Sequence, residues 1–336
     1  MKQVLEKLTS ESNQQWPEVF NLIKDELSTV ENNLTSKLPT TSSLLKEIVS
    51  YIFNAGGKRI RPALSLLIAK ATGNLTNKHI VLCELTELIH TASLIHDDII
   101  DSAKLRRGRE TVNNLWNDKI SVITGDFLFA EASVRLGELE NTEIVKIYAK
   151  VLSDLCNGEL EQYSSLFNTA ISWEQYIRKS TTKTASLFAA ACKSAAMLNA
   201  QEKDVISQAD DFGKNLGIAF QIIDDTLDFT STEKKSGKEV AADLKQGIIT
   251  APVLFALEIN DERAKQLKLL IENRFNANEK DFDITLRLVH ELGGCEKARQ
   301  LAQSYLNNAK KNLGFVRNNV IKDSILKIVD FIFLRK

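Results

Sequence analysis

Two acidic pentapeptides set in apolar helical stretches constrain this chain more than any other feature: Asp97-Asp98-Ile99-Ile100-Asp101 and, further on, Asp224-Asp225-Thr226-Leu227-Asp228. At about 100° per residue, the first and last Asp of each stand about 40° apart on one helical face. Each stretch is therefore a carboxylate claw. At a surface such a claw is a solvated acidic patch or a helix cap; inside a helical core its charges would cost several kcal/mol apiece unless cations neutralised them. Clustered carboxylates suit Mg²⁺, which takes one or two of them, keeps several waters and shares its remaining positions with substrate phosphates. The second copy, among Phe220, Ile222, Ile223, Leu227 and Phe229, favours a magnesium-diphosphate site over a solvated cap.

The claws sit in a sequence with helical periodicity nearly throughout. Val4, Leu5, Leu8, Phe20, Leu22, Ile23, Leu27 and Val30 predict one or two amphipathic helices within residues 1–36, and Leu38-Pro39-Thr40-Thr41-Ser42 reads as a break. Thr41, Ser42 or Ser43 is placed to cap the next helix. Further helices are expected over 44–54, over 63–72 with Pro62 in its first turn, and over 79–100, where the first claw ends the helix. A charged loop follows over 101–111, then helices over 112–139, 142–168, 173–198, 202–229, 248–260, 261–274, 279–291 and 293–334. No stretch alternates like a strand. Only 14 Gly and 4 Pro occur in 336 residues, well below the usual roughly 7% and 5%, so turns are few and helices long. No Pro/Gly/Ser-rich linker divides the sequence, and one all-α domain over 1–336 is the economical expectation: peripheral helices in 1–40, a motif-bearing part over 44–260 and C-terminal helices over 261–336.

The net charge of −1 gives no reason to expect nucleic acid or an anionic membrane as a partner. Cys83, Cys156, Cys192 and Cys295 lie dozens of residues apart without Cys-x-x-Cys spacing, so they read as reduced core residues rather than a zinc site or disulfide framework. The first residues, MKQVLEKLTSESNQQW, mix acids and bases without an apolar core, and no apolar run reaches the roughly 18 residues of a membrane span. The expectation is a soluble protein of a bacterial cytoplasm or plastid stroma with no cleavable targeting segment and no integral membrane segment.

A second chemistry-bearing stretch is Gly56-Gly57-Lys58-Arg59-Ile60-Arg61-Pro62. Its glycines let backbone approach an anion closely, and Lys58, Arg59 and Arg61 can offer charge-assisted hydrogen bonds, bidentate from Arg. The plainer alternative is a flexible basic helix start. Arg106-Arg107, just beyond Asp101, fits a further phosphate clamp, although alone it would be solvated loop charge.

GGKRIRP, HTASLIHDDIID followed by RRG, GDFLFA (Gly125 to Ala130), Gly158-Glu159 with Gln162, Lys183-Thr184, FQIIDDTLDF, Gly237-Lys238 and DLKQGIITAPVLFALE occur in that order. Together they closely resemble the trans-isoprenyl (polyprenyl) diphosphate synthases, from about residue 44 to 260. The resemblance implies a single-domain all-α bundle of ten or more antiparallel helices around a deep central cavity. It implies a homodimeric enzyme that lengthens an allylic diphosphate primer with isopentenyl diphosphate. It assigns Asp97 and Asp101 to two Mg²⁺ ions and Asp224 to a third, with Asp98, Asp225 and Asp228 supporting them. Arg106, Lys183 and Lys238 would hold the allylic diphosphate, whereas Lys58, Arg61, His90 and Arg107 would hold isopentenyl diphosphate; Thr184 and Gln221 match positions lining the reacting centre. His90 taken alone would read as a core histidine. In many relatives a basic residue follows the glycine corresponding to Gly247, whereas here Ile248 stands there; GIITAPVLFALE resembles the cyanobacterial and plastid branch instead.

Ser93 lies four residues before Asp97 and shares its face, and Ala92 sits five before it. Both are small where short-chain relatives carry a large aromatic, which implies an open floor under the first claw. The expectation is a long product of about C40 to C45, a quinone side-chain precursor handed on to a membrane. Two other readings stand beside this one. A terpene cyclase also carries an Asp-rich claw but has no use for the second diphosphate-binding set of Lys58, Arg61 and Arg107. A non-catalytic subunit of a heteromeric synthase would be expected to have eroded claws.

Overall fold

The computed structural model describes residues 21–106, 108–230, 240–278 and 280–335. Backbone contacts gather the described residues into two compact units, one of those within 21–148, 189–210 and 312–328, the other of those within 149–188, 211–311 and 329–335.

In the first unit, α1 (Lys24–Ser36), α2 (Ser43–Asn54) and α3 (Ile60–Thr72) lead to α4 (Asn77–Ile100). Ser42 caps α2 by accepting from the Leu45 N–H at 3.2 Å. Helix α4 has 24 residues and is buried from His79 to Ala92 almost without interruption, so it is buried all round rather than on one stripe. Its buried polar residues find partners inside: Thr86 meets the Tyr148 hydroxyl at 2.8 Å, and His79 meets the Ala195 carbonyl at 3.2 Å. After α4 comes a two-strand hairpin, β1 (Leu105–Arg106) and β2 (Arg109–Glu110), in the stretch expected to be irregular loop. Then follow α5 (Val112–Leu115) and α6 (Asp118–Glu138) in place of the single helix expected over 112–139. Asn117 makes the break: its side chain accepts from the Ile120 N–H at 2.9 Å and caps α6.

Helix α7 (Thr142–Ser164) begins in the first unit and ends in the second. The helix expected over 173–198 is divided into α8 (Trp173–Ser180), a π turn (Thr181–Ala185) and α9 (Ser186–Leu198). Helix α10 (Lys203–Thr230) carries the second claw near its C-terminal end. Beyond it lie α11 (Ala242–Lys245), α12 (Ala251–Leu257), α13 (Glu262–Glu272), α14 (Asp281–Glu291), α15 (Gly294–Lys311) and α16 (Asn319–Leu334). The single helix expected over 293–334 is therefore two, parted by a segment containing Gly314, with Asn318 accepting from the Val320 N–H at 2.9 Å. In the second unit, Ile222, Ile223 and Phe229 of α10 pack into one apolar core with Val253 and Leu254 of α12, Leu288 and Val289 of α14, and Ala298 and Ala302 of α15. At about 25 cal/mol per Å², burying each Ile or Leu of this set contributes about 2 kcal/mol before entropy is counted. That packing fixes α10, and with it the claw.

All four cysteines are reduced, as expected, but only Cys83 and Cys192 are buried; Cys156 is exposed. Among the described residues no helix is long and apolar enough to cross a membrane.

Candidate active site

In the first unit the claw occupies the last turn of α4, where the aligned peptide dipoles give the helix end a partial negative charge that favours cations. Asp97 and Asp101 are half-buried there, and Asp98 is 5% exposed. The middle carboxylate is turned into the protein: Arg106 Nε donates to Asp98 Oδ1 at 2.7 Å. The hairpin supplies that arginine, and Gly108 closes its turn at φ +73°, a conformation that favours glycine. The Asn113 amide donates to the Asp98 carbonyl at 3.4 Å and to the Ala103 carbonyl at 3.3 Å, fastening the hairpin root to the helix end. Behind the claw, Gly125 of GDFLFA lets α6 approach α4 so closely that a Cβ there would overlap the His96 ring.

The GGKRIRP stretch also belongs to this unit. Gly56 has φ +72° and Arg59 is left-handed at φ +47°. Arg59, counted from the sequence among the anion-binding cations, is instead 8% exposed. Its Nη1 donates to Glu87 Oε2 at 2.7 Å, and its Nε lies 3.6 Å from Glu31 Oε1. A buried arginine between two acids pins the turn, while Lys58 and Arg61 on either side are half-buried. Glu87 stands three residues before His90, so the same pair ties the turn to the helix that carries His90 and the claw. His90 is half-buried and its carbonyl accepts from Ser93 Oγ at 3.0 Å, while Ala92 is fully buried.

In the second unit the claw follows the same plan with different partners. Asp224 and Asp228 are half-buried and Asp225 is 2% exposed. Tyr176 Oη donates to Asp225 Oδ2 at 2.6 Å, and Gln221 Nε2 donates to Asp225 Oδ1 at 2.7 Å. Thr184 Oγ1 donates in turn to Gln221 Oε1 at 2.5 Å. Thr184, Gln221 and Asp225 are thereby brought into one chain of hydrogen bonds, with Tyr176 as its end. Burial and the nearby charge of Asp243 raise the Asp225 carboxyl to about 6, against the pull of Lys179 and of its two donors. Asp228 Oδ2 accepts from the Asp243 N–H at 3.1 Å. Asp224 Oδ1 lies 2.5 Å from Arg335 Nη1.

Lys183 sits in the π turn and pairs with Glu159 of α7 at 2.5 Å. Single π turns inside helices recur at functional sites because they re-aim side chains. Two glycines let this turn seat: a Cβ on Gly217 would stand 2.5 Å from Ala185 Cα, and one on Gly158 would stand 3.0 Å from Thr182 Oγ1. Arg107 and Lys238 lie outside the described residues.

Sequence reasoning did not single out Tyr176, Asp243, Arg335 or the buried role of Arg59. Gln221 and Asp225 were each named from the sequence, for different roles, and the structure joins them one helical turn apart. Tyr176 is 49 residues from the aspartate it serves, and no local pattern marks such a contact.

Among the described residues no three His, Cys, Asp or Glu side chains converge as an all-protein metal cage. Mg²⁺ asks for less, one or two carboxylates with water and phosphate oxygens completing its octahedron. Asp97 with Asp101, and Asp224 with Asp228, are half-buried hard-oxygen donors at the negative ends of helices, and that donor set fits the ion.

The polyprenyl synthetase family model matches residues 42–288. The chain belongs to that family. It is 41% identical over 319 residues to the chloroplastic solanesyl diphosphate synthase 2 of Arabidopsis thaliana, covering 93% of this chain and 75% of that one. It is 40% identical to a prenyl transferase of Synechocystis, covering 94% of this chain and 98% of that one. Among solved structures, the heptaprenyl diphosphate synthase of Staphylococcus aureus superposes with a TM-score of 0.88 at 30% identity, covering 93% of this chain and 98% of that one. The chain is thus a prenyltransferase with the all-α isoprenyl synthase fold.

Proposed function

We propose that this prenyltransferase adds successive isopentenyl diphosphates to an allylic primer, giving an all-trans polyprenyl diphosphate of about C40 to C45 for a quinone side chain. The observation that carries the length is the pair Ala92 and Ser93, small residues one helical turn before Asp97, with Ala92 fully buried. The solanesyl and decaprenyl diphosphate synthases among the relatives support a long chain.

Asp97 and Asp101 would hold two Mg²⁺ ions and Asp224 a third, with Asp98, Asp225 and Asp228 orienting them. When bound, the ions supply positive charge that offsets the charge appearing on the leaving diphosphate. Arg106, Lys183 and Lys238 add to that stabilisation, and Lys58, Arg61, His90 and Arg107 seat isopentenyl diphosphate. Breaking the allylic C–O bond leaves positive charge on carbon, so the surrounding wall must exclude water, and apolar side chains do so. The cationic carbon alkylates the double bond of isopentenyl diphosphate, and the departing diphosphate takes the proton then lost, so no side chain is assigned as base. Thr184 and Gln221, linked to Asp225, line the reacting centre and keep a fixed polar edge beside it.

The whole chain acts as one domain and pairs with a second copy. Ile123 and Val134 on α6 are 60% and 51% exposed, and Leu160 and Tyr163 on α7 are 70% and 75% exposed, which is apolar surface of the kind a partner covers. A sizing measurement giving a monomer would remove the dimer. The proposed setting is a plastid stroma or bacterial cytoplasm, with the product passed to a membrane.

Product analysis tests the reading directly. Purified enzyme given isopentenyl diphosphate and a C15 primer should release a chain of about C40 to C45, and arrest at C20 would overturn the length. Ala92→Phe should shorten the product while activity persists; an unchanged chromatogram would remove Ala92 from the length-setting role.

A further inference from the structure

The second claw has a cation of its own. Arg335, just beyond α16, places Nη1 2.5 Å from Asp224 Oδ1 and its guanidinium carbon 4.5 Å from the centre of the Phe220 ring. Phe220 lies one turn before Asp224 on α10, so stacking and ion pairing act along the same helix face. The approach of the segment is fixed two residues earlier. Arg299 Nη2 donates to the Phe333 carbonyl at 3.0 Å, and the Arg299 guanidinium lies 4.9 Å from the Phe333 ring centre. Arg335 therefore arrives with part of its ordering entropy already spent, and meets Asp224 through a close charge contact rather than an aligned hydrogen bond.

We propose that Arg335 is a resident counter-cation of the second claw, holding Asp224 in the metal-free protein and competing with a divalent ion for that carboxylate. This rests on the assignment of Asp224 to a metal ion. A guanidinium and a divalent cation repel each other across one carboxylate, so occupancy by either weakens the other by the same factor. Apparent metal affinity is the intrinsic affinity multiplied by the fraction of molecules in which Asp224 is not held by Arg335. Both side chains keep some solvent access, 19% for Arg335 and 37% for Asp224, so the pair is screened and the competition amounts to about two- to fivefold. The device keeps Asp224 charge-paired between catalytic cycles. It also links metal loading to release of the segment around residue 335, leaving the Arg299 clamp on Phe333 in place.

Titrating the diphosphate-saturated protein with Mn²⁺ by calorimetry tests this. Arg335→Gln should tighten the Asp224-dependent binding by about two- to fivefold. Arg335→Lys, which keeps charge but loses the planar stack, should fall between the two. On an Asp224→Asn background, Arg335→Gln should change nothing, and Asp224→Asn alone should weaken binding. Hydrogen exchange at Arg335 should quicken when Mn²⁺ is added to the wild type, while that at Phe333 stays unchanged. If Arg335→Gln and Arg335→Lys leave the Mn²⁺ affinity unchanged or lower it while Asp224→Asn weakens binding, the counter-cation role fails and Asp224 keeps its metal. If Asp224→Asn binds Mn²⁺ as well as the wild type, both fall.

Discussion

The two claws share a five-residue pattern and a burial pattern, outer carboxylates half-buried and the middle one turned inward, yet they neutralise that middle aspartate by opposite means. Asp98 meets the permanent charge of Arg106, whereas Asp225 meets a tyrosine hydroxyl and a carboxamide. An arginine cannot give up its proton at ordinary pH, so the first claw keeps its charge balance fixed. The second leans on neutral donors, which do not outweigh burial and the nearby charge of Asp243, so its middle carboxyl is raised to about 6. One motif can thus be built into two electrostatic settings, and its letters alone do not say which.

The largest effects should come from the outer carboxylates. Asp97→Asn is expected to lower kcat by about a thousandfold or more, and Asp224→Asn by about a hundredfold, because the first claw is assigned two ions and the second one. Steady-state rates at saturating Mg²⁺ check this, and equal losses would erase the proposed division of labour.

Next come the inward aspartates. Arg106→Gln leaves a buried carboxylate without its charge partner and should cost about 1–3 kcal/mol in a denaturant titration, discounted because Arg106 keeps some solvent contact. Tyr176→Phe should cost about 1–2 kcal/mol, since Gln221 remains and Asp225 can take up a proton. A larger loss from the tyrosine than from the arginine would reverse the contrast.

Glycines sharpen it further. Gly217→Ala drives a Cβ against the backbone of the π turn and should cost about 1–3 kcal/mol. Gly108→Ala meets open space but must hold φ +73°, a strain of about 1 kcal/mol. Melting temperatures of the two variants would rank them.

The smallest effect is a pH response at the root of the first claw's helix. Burial lowers the pKa of His79 below 6.5, so the folded chain resists a proton that the unfolded chain accepts. Stability on this account is full above about pH 6.5 and falls as pH drops through that value, levelling off below the lowered folded value. His79→Gln should flatten the wild-type decline in melting temperature between about pH 7.5 and 5.5; an unaltered slope would place the acid sensitivity elsewhere.

Much of this arrangement can be read from local sequence because its causes are local. The helices follow from the 3.6-residue apolar period, and the claws from Asp spacing inside them. The breaks at Asn117 and around Gly314 had local signals too, a cap residue followed by Asp118 and a glycine ahead of Asn318, which the continuous apolar pattern overrode. What stayed hidden depends on distant partners. Arg59 looks like one more phosphate-binding cation until Glu87 is seen 28 residues away, and Arg335 is an unremarked basic residue until Asp224 is beside it. The π turn has no signature in TTKTA, and the residue that makes room for it, Gly217, lies on another helix.

That turn is in effect a one-residue insertion that the helix tolerates without breaking. Removing a single residue between Thr181 and Ala185 would let an ordinary helix close over the gap, so a deletion here would not read as damage. It would instead leave α8 and α9 in about the same phase, because the wide turn spends its extra residue without advancing the helix. Lys183 and Thr184, inside the turn, would be re-aimed, while Tyr176 would keep its place beside Asp225. The aim of Lys183 and Thr184 is therefore recorded in a residue count as much as in residue identity, and a substitution scan over this stretch would pass over that information.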